Sequence, residues 1–213
     1  MNAAIKSSQV ITIVDYGMGN LLSVKKKLDR LNSGTKISSS PSDILASDKI
    51  ILPGVGHFQK AMKNLHTLGL YDVLNEAVVQ KKIPVFGICL GMQLMAKYSQ
   101  EGDAEGLGWF DAEVVKFNVK DTLKYKIPHT GWNQVMIKKQ SKLMNGIPDN
   151  SEFYFVHAYH IKLNNNADAL HETGYEYPFV SAVEKENIIG VQYHPEKSHE
   201  DGELLLKNFI NNY

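Results

Sequence analysis

The chain's one cysteine, Cys89, stands between two glycines in Phe86-Gly87-Ile88-Cys89-Leu90-Gly91-Met92-Gln93. An apolar, β-branched run leads into it, and Leu90, Leu94 and Met95 follow at helical spacing. The pattern predicts a strand, a sharp turn and a helix. That is a nucleophile elbow with sulfur in place of oxygen. The glycines let the chain turn tightly and let neighbouring atoms pass close to the backbone. A helix opening on the sulfur aims free amides at it, which favours the thiolate over a thiol that titrates near ~8.5. The amide of Leu90 is then placed to donate to a developing oxyanion. An isolated cysteine is usually a small buried hydrophobe; the glycines and the strand entry argue for chemistry instead.

A thiol nucleophile needs a base, and the chain has eight histidines. His194 stands out in Tyr193-His194-Pro195-Glu196, at the end of a strand that finishes near Gln192. Pro195 stiffens the turn. Glu196, two residues on, points the same way as His194 and can hold its imidazole in one tautomer while it shuttles the proton.

Alternating elements must position these groups. Val10, Ile11, Thr12, Ile13 and Val14 read as a buried strand, followed by the turn-rich loop Asp15 to Asn20. Asn20 suits a helix N-cap, and Leu21, Val24, Leu28 and Leu31 mark a helix face behind it. Lys25, Lys26 and Lys27 read as its solvated side. Weak and strong strands follow at 36–38 and 49–52, a helix at 70–78 and a strand at 84–88. Strand signals then dominate, at 112–117, 134–137 and 153–156, with a hairpin at 180–192 and a terminal helix at 203–210. The expected fold is α/β, with a mostly parallel central sheet flanked by helices and an antiparallel extension. One domain over 1–213 is expected, with the polar leading segment 1–9 disordered.

Composition narrows the function classes. The chain has 213 residues, 43% hydrophobic and 22% charged, with 23 basic against 23 acidic side chains. That is ordinary globular composition, with no basic excess for nucleic acid. One cysteine excludes an intrachain disulfide, and no apolar run nears the roughly 20 residues of a membrane span. A cytoplasmic protein is expected, with no nucleic-acid or membrane partner. His57, His129, His157 and His160 lack the spacing and companions of a metal set, so no metal and no cofactor are expected. The Asp15 to Asn20 loop lacks the third glycine of a dinucleotide fingerprint and the Gly-Lys-Ser of a P-loop. It is expected to face a partner.

The elbow together with His194-Pro195-Glu196 resembles the class I, triad-type glutamine amidotransferase domain. The resemblance implies a flavodoxin-like fold and hydrolysis of the L-glutamine side-chain amide through a γ-glutamyl thioester. Cys89 would attack, His194 transfer protons and Glu196 orient His194. Pro53-Gly54-Val55-Gly56 is similar to the family's oxyanion strand. This implies an amide from the peptide around Gly54 and Val55, acting beside that of Leu90. Gly56 and Gln93 fall where the family holds its glutamine.

Asp15-Tyr16-Gly17-Met18-Gly19-Asn20, Pro128-His129-Thr130-Gly131-Trp132-Asn133, Phe153-Tyr154-Phe155-Val156-His157 and His194-Pro195-Glu196-Lys197-Ser198 narrow the resemblance. Together they are similar to the glutaminase subunits of imidazole glycerol phosphate synthase in histidine biosynthesis, over about 10–209. This implies a heterodimer with a cyclase (synthase) subunit that receives the ammonia. Trp132, Tyr154 and Lys197 would lie at that interface. Two positions depart from the family, Thr130 for its methionine and Ala158 for its serine. Neither touches the triad, but the first is beside Trp132. Other readings stay open: a paralogous subunit feeding a sugar amidotransferase in surface-polysaccharide synthesis, a hydrolase of γ-glutamyl chains, or a non-catalytic regulator on the same fold.

Overall fold

A computed structural model describes residues 9–31 and 34–213. The expectation for 1–9 therefore falls, except for Gln9, outside the described residues. In chain order, β1 (Val10–Val14), α1 (Leu21–Asp29), β2 (Gly34–Ser38), α2 (Pro41–Leu45), β3 (Lys49–Gly54), α3 (Phe58–Thr67), α4 (Leu70–Asn75) and β4 (Val85–Cys89) build a parallel half. A single turn, α5 (Leu90–Gln93), leads to β5 (Ala96–Ser99), β6 (Ala104–Glu105), β7 (Phe110–Lys116), β8 (His129–Gln134) and β9 (Met136–Ile137). β10 (Glu152–His157), β11 (Tyr159–Leu163), β12 (Ala169–Tyr175), β13 (Tyr177–Lys185), β14 (Ile188–Val191) and α6 (His199–Asn212) complete the chain.

The main sheet runs β2-β1-β3-β4-β14-β13-β11-β7-β5-β6, with β12 and β9 branching from β13. β2, β1, β3, β4 and β14 are mutually parallel, and β13 turns antiparallel on β14. β8 and β10 pair only with each other. Successive strand residues alternate between two cores. Ile50 and Leu52 face one side with Phe58, Met62, Leu65 and Leu74, while Ile51 and Phe86 face the other with Val24, Leu28 and Phe209. The mixed α/β sheet agrees with the sequence reading.

Several local expectations change. The helix after Cys89 is one turn long. Leu94 and Met95 are fully buried, and their carbonyls accept from the amides of Leu107 and Phe110 at 2.8 and 3.0 Å. The chain rejoins the sheet at β5 because those partners take its backbone. The helix expected at 70–78 ends as α4 at Asn75 and continues as a π-turn, Glu76–Gln80. The strand expected at 134–137 splits at Val135, where pairing passes from β10 to β12. Lys27 is not solvated like its neighbours: its ammonium lies 2.7 Å from Glu203 on α6. Asn20 does cap α1, accepting from the Ser23 amide at 3.2 Å.

Candidate active site

β4 is flanked by β3 and β14, and all three end at the same edge. Gly54 pairs with Cys89, and Val191 pairs with Ile88. Strand ends in an open parallel sheet are where ligands bind. This register brings the Gly54 segment to one side of Cys89 and the residues after Val191 to the other.

Cys89 itself sits at φ +54°, ψ −111°. A side-chain-bearing residue holds that conformation only where the surroundings enforce it. Here α5 enforces it by lying directly on the sheet. A Cβ on Gly91 would run into the Leu52 carbonyl oxygen, and one on Gly87 would stand 2.8 Å from the Met92 nitrogen. The glycines on both sides of the cysteine are therefore requirements of close approach. Leu90 opens α5, so its amide is among those that no carbonyl of the turn accepts.

His194 and Glu196 are the expected pair. Nδ1 of His194 lies 2.9 Å from Oε1 of Glu196, with side-chain exposures of 2% and 3%. Nε2 of His194, the atom left for the sulfur, has no hydrogen-bond partner. Burial opposes a charge on this imidazole. The nearby Cys89 sulfur and the hydrogen-bonded Glu196 carboxylate outweigh burial and push its pKa up to about 9. At neutral pH the imidazole holds its proton and faces the sulfur as a cation.

A cleft of about 90 Å³ opens beside the sulfur, lined by Val55, Gly56, Cys89, Leu90, Gln93, Glu101, Val156, His157, Ala158 and Tyr159. Gly56 and Gln93 thus line the same cleft as Cys89. Gln93 is more constrained than expected. Its amide nitrogen donates to the Tyr159 carbonyl and to Oε1 of Gln192, both at 3.0 Å.

Four residues near the site escape the sequence reading. Glu101 brings a carboxylate to the cleft, with Oε2 accepting from the Phe58 amide at 2.8 Å. Gln192, fully buried, lies two residues before His194 and points its amide nitrogen at the Cys89 sulfur, 3.6 Å away. The period-two rule applied to the run ending at His194 would have found it. Tyr16, also fully buried, donates its hydroxyl to the Pro53 carbonyl at 2.6 Å. Burial, and behind it the charge of Cys89, push that phenol far up. The Asp15 to Asn20 loop therefore leans on the Pro53–Gly56 segment, while Gly17, Gly19 and Asn20 stay exposed.

The fourth is His199, whose ring stacks on Trp132 at 4.5 Å and 2°. Trp132 is 43% exposed. It meets Tyr154 edge-on across the β8–β10 pair, and the Lys197 ammonium lies 5.5 Å over the Tyr154 ring. The three residues expected at an interface thus form one patch. It connects to the triad through the backbone: the His194 amide donates to the Tyr154 carbonyl at 2.9 Å. The large surface groove, about 960 Å³, opens beside Trp132 and His199 rather than over Cys89.

His129 and His157 hydrogen-bond to each other at 3.0 Å, and His157 borders the cleft. Burial holds His129 down to about 4 and His157 well below its ordinary value, so both are neutral at pH 7. Among the described residues, no group of three or more His, Cys, Asp or Glu side chains is gathered as metal ligands.

This geometry sets a lone cysteine beside a buried imidazole–carboxylate pair at the end of a parallel sheet. The model of the class-I glutamine amidotransferases matches residues 12–212, and the chain belongs to that family. Solved structures agree on the fold. PurLQS from Thermotoga maritima superposes with a TM-score of 0.72 at 14% identity, covering 96% of this chain and 99% of that one. A glutamine amidotransferase from the same organism gives 0.66 at 15% identity, covering 96% and 97%. Within the family, the chain groups with HisH subunits of imidazole glycerol phosphate synthase. It is 48% identical to the second HisH of Methanococcus maripaludis and 44% identical to that of Pseudomonas aeruginosa, in each case over 94% of this chain and 98% of the relative.

Proposed function

We propose that this chain is a glutaminase subunit. It hydrolyses L-glutamine to glutamate and passes the ammonia to the cyclase subunit of an imidazole glycerol phosphate synthase, in histidine biosynthesis. The observation that carries the chemistry is Cys89 at an enforced positive φ, facing a His194–Glu196 pair sealed from water. The Cys89 sulfur attacks the side-chain amide carbon. The amides of Leu90 and of the Gly54–Val55 peptide stabilise the oxyanion. His194 gives its proton to the departing nitrogen, leaving ammonia and a γ-glutamyl thioester. Water then attacks the thioester and His194 takes its proton. The sulfur leaves and glutamate is released. Glu196 keeps the imidazole oriented throughout. Glu101, Gly56 and Gln93 line the cleft beside the sulfur, and the Glu101 carboxylate is suited to the α-ammonium group of a glutamine bound there.

Assembly rests on the HisH kinship and on the Trp132–Tyr154–Lys197 patch, which suits docking to a cyclase in a heterodimer. No helix among the described residues is long and apolar enough to cross a membrane, consistent with a cytoplasmic enzyme. One observation favours testing a second acceptor, a sugar amidotransferase: the relatives from M. maripaludis and P. aeruginosa are each a numbered second HisH.

The test is glutaminase activity of the complex, with wild type and Cys89→Ala. The variant should fold and bind the partner but hydrolyse no glutamine. A glutamine-like electrophile should label Cys89 alone. Hydrolysis above about a tenth of wild type would remove Cys89 from the role, since loss of a nucleophile costs several orders of magnitude. Which synthase the chain stimulates, cyclase or sugar amidotransferase, decides the acceptor.

A further inference from the structure

The Cys89 sulfur has one more buried neighbour, Gln192. Three hydrogen bonds run from a backbone carbonyl to that sulfur: Tyr159 to Gln93, Gln93 to Gln192, and Gln192 to Cys89. Each glutamine amide has a donor end and an acceptor end, which electron density alone seldom tells apart. Here the order is forced. The Tyr159 carbonyl can only accept, so the Gln93 atom 3.0 Å away is its nitrogen. That nitrogen lies 3.0 Å from Gln192, and two nitrogens cannot face each other there, so the Gln192 atom is its oxygen. The remaining end of Gln192, its NH₂ group, is then aimed at the sulfur. Reversing either amide would set donor against donor, or acceptor against acceptor, where Gln192 is fully buried and Gln93 is 5% exposed.

We propose that Gln192 is a further catalytic residue, whose side-chain N–H hydrogen-bonds the Cys89 sulfur and stabilises it as the thiolate, with Gln93 as the positioning residue that fixes its direction. A donor at sulfur favours the charged form over the neutral one. It acts twice in the cycle, before attack and again when the sulfur leaves the thioester. The neutral thiol has a different partner: its S–H points to the Val156 carbonyl at 3.9 Å. The two protonation states of Cys89 are thus met by two groups on opposite strands, Val156 on β10 and Gln192 after β14. The other titratable groups facing the sulfur are His194 after β14, Tyr16 from the β1–α1 loop, and His157 and Glu101 across the cleft. All of these stay in place when Gln192 alone is changed.

The inference rests on Cys89 being the nucleophile, and its test separates the two. Because Cys89 is the only thiol, the rate of alkylation by iodoacetamide against pH reports its thiolate directly, in the folded chain and without glutamine. Wild type is compared with Gln192→Met, which keeps length and packing, and with Gln192→Glu, which sets a carboxylate against the sulfur. Gln192→Met should move the midpoint up by about one pH unit, the worth of one hydrogen bond to a charged group. Gln192→Glu should move it further. In the complex, kcat for glutamine should fall about tenfold in Gln192→Met with KM little changed, because the lost bond serves the reacting sulfur rather than binding. Midpoints unmoved in both variants, with native circular dichroism, would overturn the proposal. So would failure of both variants to fold, which would make the relay a structural brace. Glutamine hydrolysis by Cys89→Ala would sink the nucleophile assignment whatever the midpoints do.

Discussion

Glu196→Gln is the sharpest probe of the buried pair. The glutamine keeps the shape and the accepting oxygen 2.9 Å from His194 but removes the charge. In the native protein the imidazole pKa stands at about 9 against 6.5 for a free histidine. That net difference, roughly 3 kcal/mol, is what the Cys89 and Glu196 partners leave over after burial has opposed them. A hydrogen bond to a charged acceptor exceeds one to a neutral acceptor by about 1–1.5 kcal/mol, so the variant should lower the His194 pKa by about one unit. Two measurements follow. The alkaline limb of kcat/KM for glutamine, set in wild type by loss of the imidazolium proton near pH 9, should move toward pH 8. The stability assay has a defined sign. His194 has a raised folded pKa, so its contribution is complete below about pH 6.5 and is lost as pH rises through about 9. Urea unfolding between pH 6 and pH 9 should show wild type losing stability on the alkaline side, with a shallower loss in Glu196→Gln. An alkaline limb that stays put, together with an unchanged stability slope, would refute the claim that Glu196 holds the proton on His194.

Other outcomes follow from the same contacts. Gly91→Ala should destabilise by about 3 kcal/mol, the upper end of overpacking costs, because the new methyl meets the Leu52 carbonyl; an unchanged urea midpoint would contradict the close approach. Tyr16→Phe should cost about 1–3 kcal/mol in urea unfolding, since it leaves the Pro53 carbonyl without its buried donor; no loss would mean that the 2.6 Å bond is immaterial. The isolated chain should hydrolyse glutamine at least roughly a hundredfold slower than the complex if one oxyanion donor around Gly54 and Val55 awaits the partner; full activity alone would end that gating idea. Trp132→Ala and Lys197→Ala should weaken glutamine-dependent synthesis by the complex while synthesis from ammonium salts survives. Equal loss of both would place the patch elsewhere than on the ammonia route.

That Cys89, His194 and Glu196 come together was legible because these residues announce themselves locally. Cys89 carries its glycines with it, and His194 and Glu196 are two residues apart. Groups assembled by register are harder to read. Tyr16 reaches Pro53 because β1 lies beside β3, and Glu101 reaches the cleft because the chain turns back after β5. No spacing in the sequence reports either. The short α5 was hidden for another reason: Leu90, Leu94 and Met95 have helical spacing, yet amides more than ten residues downstream claim the backbone. α3 was there to be read, with Phe58, Ala61, Met62 and Leu65 at positions i, i+3, i+4 and i+7. The strands at 159–163 and 169–175 are obscured by His160, His171 and Thr173, which the core buries.

The β8–β10 ribbon pairs with no strand of the main sheet, yet it holds Trp132 and Tyr154 and, two residues further along β10, the Val156 carbonyl. On the proposed function, recognition of the partner would fall to side chains of this ribbon, and the ribbon would meet the reaction through the Tyr154 and Val156 carbonyls and the His157 ring. Exposed positions along these two strands are open to substitution, while Cys89, His194 and Glu196 stay on other elements, which the ribbon holds through main-chain carbonyls. An engineer wishing to deliver ammonia to a different synthase would graft or randomise this ribbon and leave the strand ends alone.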